Sequence, residues 1–265
     1  MLIDFHVHCF PEELARDTVP RLAEEANIQA RLPGTISALQ DSMAEAGIDY
    51  SVLQNIATRP SQTEKINNWA AEVQKENENL FCFGTVHPEY ENPQQEFKRI
   101  KDLGLKGVKF HPDYQEFFVD QNKYFPLYEM ALQQDLILLF HAGEDIGLPA
   151  PQHCTPERFK KIATEFAGEK IIAAHMGGYN YWEEVEKHLV GKDCYLDSSY
   201  SQKFMTDKQF LRIIKNHGPE KIIFATDSPW ADQKEEVERI SSLGLDPETE
   251  KKIFADNAAQ LLGIN

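Results

Sequence analysis

Asp4-Phe5-His6-Val7-His8 stands close to the start of this 265-residue chain, and its reading decides the rest. Leu2, Ile3, Phe5 and Val7 form strands readily and show no helical periodicity, so the stretch is predicted to be a β-strand. Side chains two apart on a strand share a face, about 6.6 Å apart along the chain, and two imidazoles so placed can lean toward one ion. On a helix they would point to nearly opposite sides. Alone, the pair does not separate a chelate from coincidence, because a chain with nine histidines produces such a spacing by chance.

Working outward, strand-like apolar runs recur at Tyr50–Ala57, Leu80–Val86, Gly107–Phe110, Leu136–Phe140, Ile171–Ala174, Cys194–Leu196 and Ile222–Ala225. The segments between them place apolar residues at three and four spacing, as helices lying on a sheet do. Strand ends from His8 to Asp227 advance by about 31 residues on average, the size of a strand-plus-helix unit. The pattern predicts an α/β fold, a (β/α)8 TIM barrel forming a single domain over residues 1–265. A long helical insertion follows strand 1, from Phe10 to about Ile48. It holds one helix to about Ala30, a Leu32-Pro-Gly break, and a second helix that stops at Gly47. The tail from Pro247 reads as a closing helix pair.

Composition narrows the function classes. A hydrophobic fraction of 42%, with 16 Phe and 9 Tyr, supports a sizeable core, and a net charge of −16 without any basic block argues against nucleic acid. Cys9, Cys82, Cys154 and Cys194 lie far apart, which suggests free thiols in a reducing, cytoplasmic setting. Met1 runs straight into the first strand and no apolar run reaches membrane-spanning length, so neither a signal peptide nor a membrane partner is expected. A homo-oligomer is compatible with all of this.

A barrel of this kind builds its active site at the C-terminal ends of its strands. Six of the nine histidines fall there: His6, His8, His87, His111, His141 and His175. His153, His188 and His217 are expected to be ordinary surface residues. His6, His8, His141 and Asp227 would bring three nitrogens and one carboxylate to a catalytic divalent ion, with a position left for water. His175 comes next around the ring, placed to bind a second ion or to hydrogen-bond the water. Lys109 lies between Val108 and Phe110, so it shares the inward face with His111 and must be paired, lifted to the mouth or neutralised. Arg59 is the candidate clamp for a substrate carboxylate, with His87, His111 and Trp230 as further substrate contacts. Glu144 and Asp113 are expected to have no role, and Asn257 to order the last helix.

The segments Asp4-Phe-His-Val-His8, Gly107-Val-Lys-Phe-His-Pro112, Phe140-His-Ala-Gly143, Ala174-His-Met-Gly-Gly178, Phe224-Ala-Thr-Asp-Ser-Pro-Trp230 and Asn257-Ala-Ala-Gln-Leu-Leu262 together resemble the amidohydrolase superfamily, and within it the amidohydrolase-related branch. The resemblance covers nearly the whole chain. It implies that His6, His8, His141 and Asp227 match metal-ligand positions, that His175 matches a ligand or catalytic histidine, and that Asp227 shuttles a proton. Binuclear members carry a carboxylated lysine on strand 4, which would make Lys109 and His175 partners of a second ion. TatD-like nucleases, which also have the histidine pair, carry a Gly-Glu-Ile-Gly-Leu-Asp-like stretch where this chain has Gly107-Val-Lys-Phe-His-Pro112.

The expected activity is hydrolysis of a small-molecule amide, ester or lactone by a metal-activated water, an anionic substrate being compatible with Arg59 and zinc being the favoured ion. The rival is a metal-dependent, non-oxidative decarboxylase of an aromatic or muconate-type acid, which the same branch includes. A third alternative is a barrel that binds metal without catalysis.

Overall fold

The computed structural model describes residues 1–264. Eight strands alternate with helices: β1 (Ile3–Val7), β2 (Tyr50–Leu53), β3 (Leu80–Cys82), β4 (Gly107–Phe110), β5 (Ile137–Phe140), β6 (Ile171–Ala173), β7 (Tyr195–Asp197) and β8 (Ile222–Ile223). All ladders are parallel and run in chain order, as β1-β2-β3 and β4 through β8. Two seams join these sheets into a ring. Gly84 bridges Val108, with Gly84 N donating to Gly107 O and Lys109 N to Gly84 O. Val7 bridges Ser228, with Phe5 N donating to Phe224 O and Asp227 N to His6 O. The fold is therefore the expected (β/α)8 barrel.

Its core has two shells. Ile3, Phe5, Val52, Phe83, Leu139 and Ile172 fill the barrel, and Ala258 and Leu261 of the last helix close it below. Alternate residues, among them Val7, Val108, Phe110, Phe140 and Leu196, face the ring of helices. The strands are shorter than the apolar runs at 50–57, 80–86 and 222–225, because side chains take over from the ladder near the rim. Gln54 Nε2 donates to Phe5 O, Asn55 Nδ2 to Phe83 O, and Ala225 N to Ser198 Oγ, each at 2.9 Å.

The insertion after β1 carries α1 (Glu12–Glu25) and α2 (Ile36–Ala46). Thr35 caps α2 at its start by accepting from Ala38 N, and Gly47 ends it in the left-handed conformation that glycine adopts without strain. Leu14, Arg21 and Leu22 of α1 reach over the barrel mouth. Asn257 donates to Pro219 O and Ile222 O, tying the last helix to β8 as expected. Two expectations for the outlying histidines need correction. His217 is buried, with Nε2 on Cys194 O at 2.9 Å, and His153 is part-buried against Asp113 at 2.8 Å. Their sequence neighbourhoods are polar, so only the tertiary packing covers them. His188 is also mostly covered and pairs with Glu184 at 3.0 Å.

Candidate metal centre and active-site cavity

The geometry of the centre starts with an irregularity in β1. Between Asp4 and Val7 the strand advances three residues while β2 advances two, from Ser51 to Leu53, which marks a bulge. Ile3 and Phe5 face the barrel interior and Val7 faces the helices, so the extra step turns His6 inward directly after Phe5. Asp4 faces the opposite way. Its carboxylate accepts from Thr226 N, Thr226 Oγ1 and Gln233 Nε2 at 3.0, 2.6 and 2.7 Å, locking β1 to β8 and to the helix Gln233–Ser241.

At the C-terminal rim, one ligand atom from each of His6, His8 and Asp227 lies within 4.8 Å of the others. His6 Nε2 and His8 Nε2 are 3.2 Å apart, and Asp227 Oδ1 is 3.4 and 3.2 Å from them. Fixed acceptors set the tautomers. His6 Nδ1 donates to Asp197 Oδ2 at 2.9 Å and His8 Nδ1 to Gln54 O at 3.0 Å, so both Nε2 atoms present bare lone pairs. His175 Nδ1 donates to Ser199 O at 3.0 Å, so His175 Nε2 accepts from His141 Nδ1 at 3.0 Å. That leaves His141 Nε2 with a lone pair, buried and without a hydrogen-bond partner among the described residues.

The set of His6, His8 and Asp227 fits a divalent ion, and His141 falls outside that cluster, grouped instead with His111 and Asp145. Lone pairs and a carboxylate face one another across a desolvated space, a costly arrangement that a cation resolves. Burial holds His6 and His141 well below the usual histidine pKa, keeping them neutral and able to ligate. Burial alone would raise the Asp227 carboxyl, but its close contact with His8 and the surrounding histidines outweigh it and leave the group below its ordinary value. The backbone at His175 and Asp227 is left-handed, with φ of 58° and 73°, a conformation that costs free energy in non-glycine residues and clusters at functional sites.

Lys109 points into the same space, almost fully buried, with Nζ 3.1 Å from His6 Nε2. Burial draws its pKa down to about 8, against the opposing pull of Asp197 and Asp227.

A second group, His111, His141 and Asp145, also lies within 4.8 Å. Its shape argues against a shared ion. The His111 and His141 rings stack 4.1 Å apart at 13°, which sets their nitrogens side by side, and His111 Nε2 is 3.2 Å from Asp145 Oδ2. We read this group as a hydrogen-bonded wall.

These residues form the floor of a cavity of about 780 Å³ whose sides include Ile56, Trp69, Tyr114, Tyr179, Tyr200 and Trp230. Arg59 is exposed and lines the cavity, as does Lys65. Of the residues expected at the site, His6, His8, His111, His141, His175, Asp227, Lys109, Arg59 and Trp230 all line it. His87 does not: its Nδ1 turns back to accept from Glu89 N at 3.2 Å, so the expectation that it contacts substrate is corrected. Asp113, expected to be idle, orients His153, and Glu144 accepts from Asn180 Nδ2. Sequence reasoning missed Asp197, Ser199, Gln54 and Asp145. Only the first two carried a signal, as polar residues where an apolar strand stops.

The family model described as amidohydrolase matches residues 3–264, and the chain belongs to that family of metal-dependent enzymes. No curated protein matches the chain. Among solved structures, an uncharacterized TIM-barrel protein from Bordetella bronchiseptica is 19% identical, with a TM-score of 0.79 over 99% of this chain and 98% of its own. The 5-carboxyvanillate decarboxylase LigW from Sphingomonas paucimobilis is 15% identical, with a TM-score of 0.74 over 100% and 99%. A dihydroxybenzoic acid decarboxylase from Polaromonas, with bound manganese and an inhibitor, is 16% identical, with a TM-score of 0.72 over 99% and 96%. At these identities the likeness speaks to the fold. No helix among the described residues is long and apolar enough to cross a membrane.

Proposed function

We propose that this amidohydrolase-family member hydrolyses an amide, ester or lactone bond in a small anionic molecule. In this reading, His6, His8, His141 and Asp227 hold one divalent ion, and the chain acts as a single cytoplasmic unit. Three nitrogens and a carboxylate favour zinc, although the Polaromonas neighbour holds manganese. When bound, the ion supplies Lewis acidity, acidifying water and polarising a carbonyl.

The observation that carries the reading is the Asp227 carboxylate, ionised and 3.2–3.4 Å from the unprotonated Nε2 atoms of His6 and His8. From there it can take a proton from an attacking water and hand it to the leaving group. His175 stands behind His141 and fixes its tautomer, so its part is to aim that ring. Lys109 balances negative charge at the floor. Arg59 offers a two-pronged donor to a substrate carboxylate at the mouth.

One observation favours a second reading, decarboxylation of an aromatic acid: the walls are aromatic and the floor holds the Lys109 ammonium, an arrangement suited to a flat carboxylate. The decarboxylase names of two structural neighbours point the same way. The test is turnover of a panel of lactones, aryl esters, amides and hydroxybenzoates by chelator-stripped and zinc- or manganese-loaded enzyme. Metal-dependent cleavage that consumes water supports hydrolysis, and release of carbon dioxide without water uptake replaces it with the lyase. No metal-dependent turnover across the panel would leave the barrel a binding protein.

A further inference from the structure

Asp197 is buried at the end of β7, and its two oxygens have different partners. Oδ1 accepts from His175 N at 3.0 Å, from Ser199 N at 3.1 Å and, at short range, from Ser199 Oγ. Oδ2 has His6 Nδ1 at 2.9 Å. Ser199 in turn reaches both histidines, with Oγ 3.1 Å from His6 Nδ1 and 2.9 Å from His175 Nδ1.

We infer that Asp197 is a positioning residue that sets the tautomer of His6, and that with Ser199 it ties His6 and His175 into one unit in which His6 Nε2 faces the cavity and His175 Nε2 accepts from His141 Nδ1. The inference rests on the reading that His6 Nε2 takes the ion. A carboxylate is required here because both of its oxygens accept. Three donors pin Oδ1, so in Asp197→Asn the amide oxygen keeps that place and the NH2 group falls at Oδ2. It would then donate to His6 Nδ1, forcing the imidazole proton onto Nε2, the atom the ion needs. The substitution preserves the three bonds at Oδ1 and reverses only the fourth. Partners behind a metal-binding histidine typically alter affinity by about 10–100-fold.

Two measurements test this. Nitrogen-15 shifts of the imidazoles in metal-free wild-type protein should report Nδ1–H at His6 and His175, and Nε2–H at His6 in Asp197→Asn. Zinc affinity by competition with a fluorescent chelator should fall about 10–100-fold in Asp197→Asn while the thermal midpoint of the metal-free protein stays near wild type. Ser199→Ala, which keeps both backbone bonds at Oδ1, should lose only a few-fold. An Nε2–H tautomer at His6 in the wild type would overturn the inference, as would unchanged zinc affinity in a folded Asp197→Asn. If Asp197→Asn does not fold, the wild-type tautomer and Ser199→Ala decide. If wild-type protein binds no zinc, the metal reading fails by itself, and the tautomers alone then support or overturn the role of Asp197.

Discussion

The Lys109 ammonium stands 3.1 Å from His6 Nε2 and so occupies a lone pair that an ion would take. Loading must release that contact and place two positive charges in one buried space. Lys109→Met is expected to retain one zinc per chain and to bind it about tenfold more tightly, because even at an effective dielectric near 20 such a repulsion exceeds 1 kcal/mol. Elemental analysis and chelator competition check this. A second equivalent that appears with bicarbonate and disappears in Lys109→Met would instead establish a carboxylated, bridging lysine.

Asp227→Asn should remove the proton acceptor and leave both imidazoles of the pair in place. Turnover is expected to drop by roughly 10²–10⁴-fold, more steeply than zinc occupancy. Rates measured at saturating zinc separate the two effects, and undiminished turnover there would exclude Asp227 as the base.

Arg59 lines the mouth and is exposed. Arg59→Met is expected to raise KM for anionic substrates by about 10–100-fold with little change in kcat, the signature of binding shared by ground and transition states. Equal KM values for a substrate and its neutral amide analogue would remove the clamp from the picture.

Glu236 lies against the back of the barrel, and burial pushes its carboxyl from 4.5 up to about 7. The folded protein therefore holds this proton more tightly than the unfolded chain does. The stabilisation is fully present below about pH 4.5 and is lost as pH rises through about 7, an effect of up to about 3 kcal/mol. Glu236→Gln should flatten that slope, gaining stability relative to wild type at pH 8 but not at pH 4.5. Denaturant titrations at the two pH values would show it.

Gly143 sits where β5 meets the loop after β6, with φ of 91° and space for no side chain. A Cβ there would fall 2.1 Å from Tyr179 N and 2.4 Å from Tyr179 O. Gly143→Ala should destabilise by several kcal/mol and displace His141, lowering both the thermal midpoint and zinc affinity. A wild-type midpoint in this variant would mean the two loops part easily.

The sequence made the barrel legible because buried parallel strands leave short apolar runs, and because seven of the eight strand ends here, all but that of the run at 50–57, carry a histidine or an aspartate. Inward orientation of Lys109 also followed from its place between Val108 and Phe110. What stayed hidden depends on contacts across the ring. The β1 bulge shows only against the β2 register, and Asp197 gains meaning only when 191 residues of separation collapse to one hydrogen bond with His6. His87 and His141 look alike along the chain, each ending a strand, but the turn after Val86 folds one ring back onto its own loop.

The β1–β8 seam also orders events in time. His6 O meets Asp227 N, and Asp4 meets Thr226 222 residues later, so the first strand waits unpaired on that side until nearly the whole chain exists. A nascent chain stalled before β8 has the His6–His8 pair but neither Asp227 nor the strand that holds the pair in place. Contacts of such long range form late and slowly. In the proposed reading, metal capture during synthesis would thereby wait until the ring shuts, and a truncated product would be born without the proposed centre.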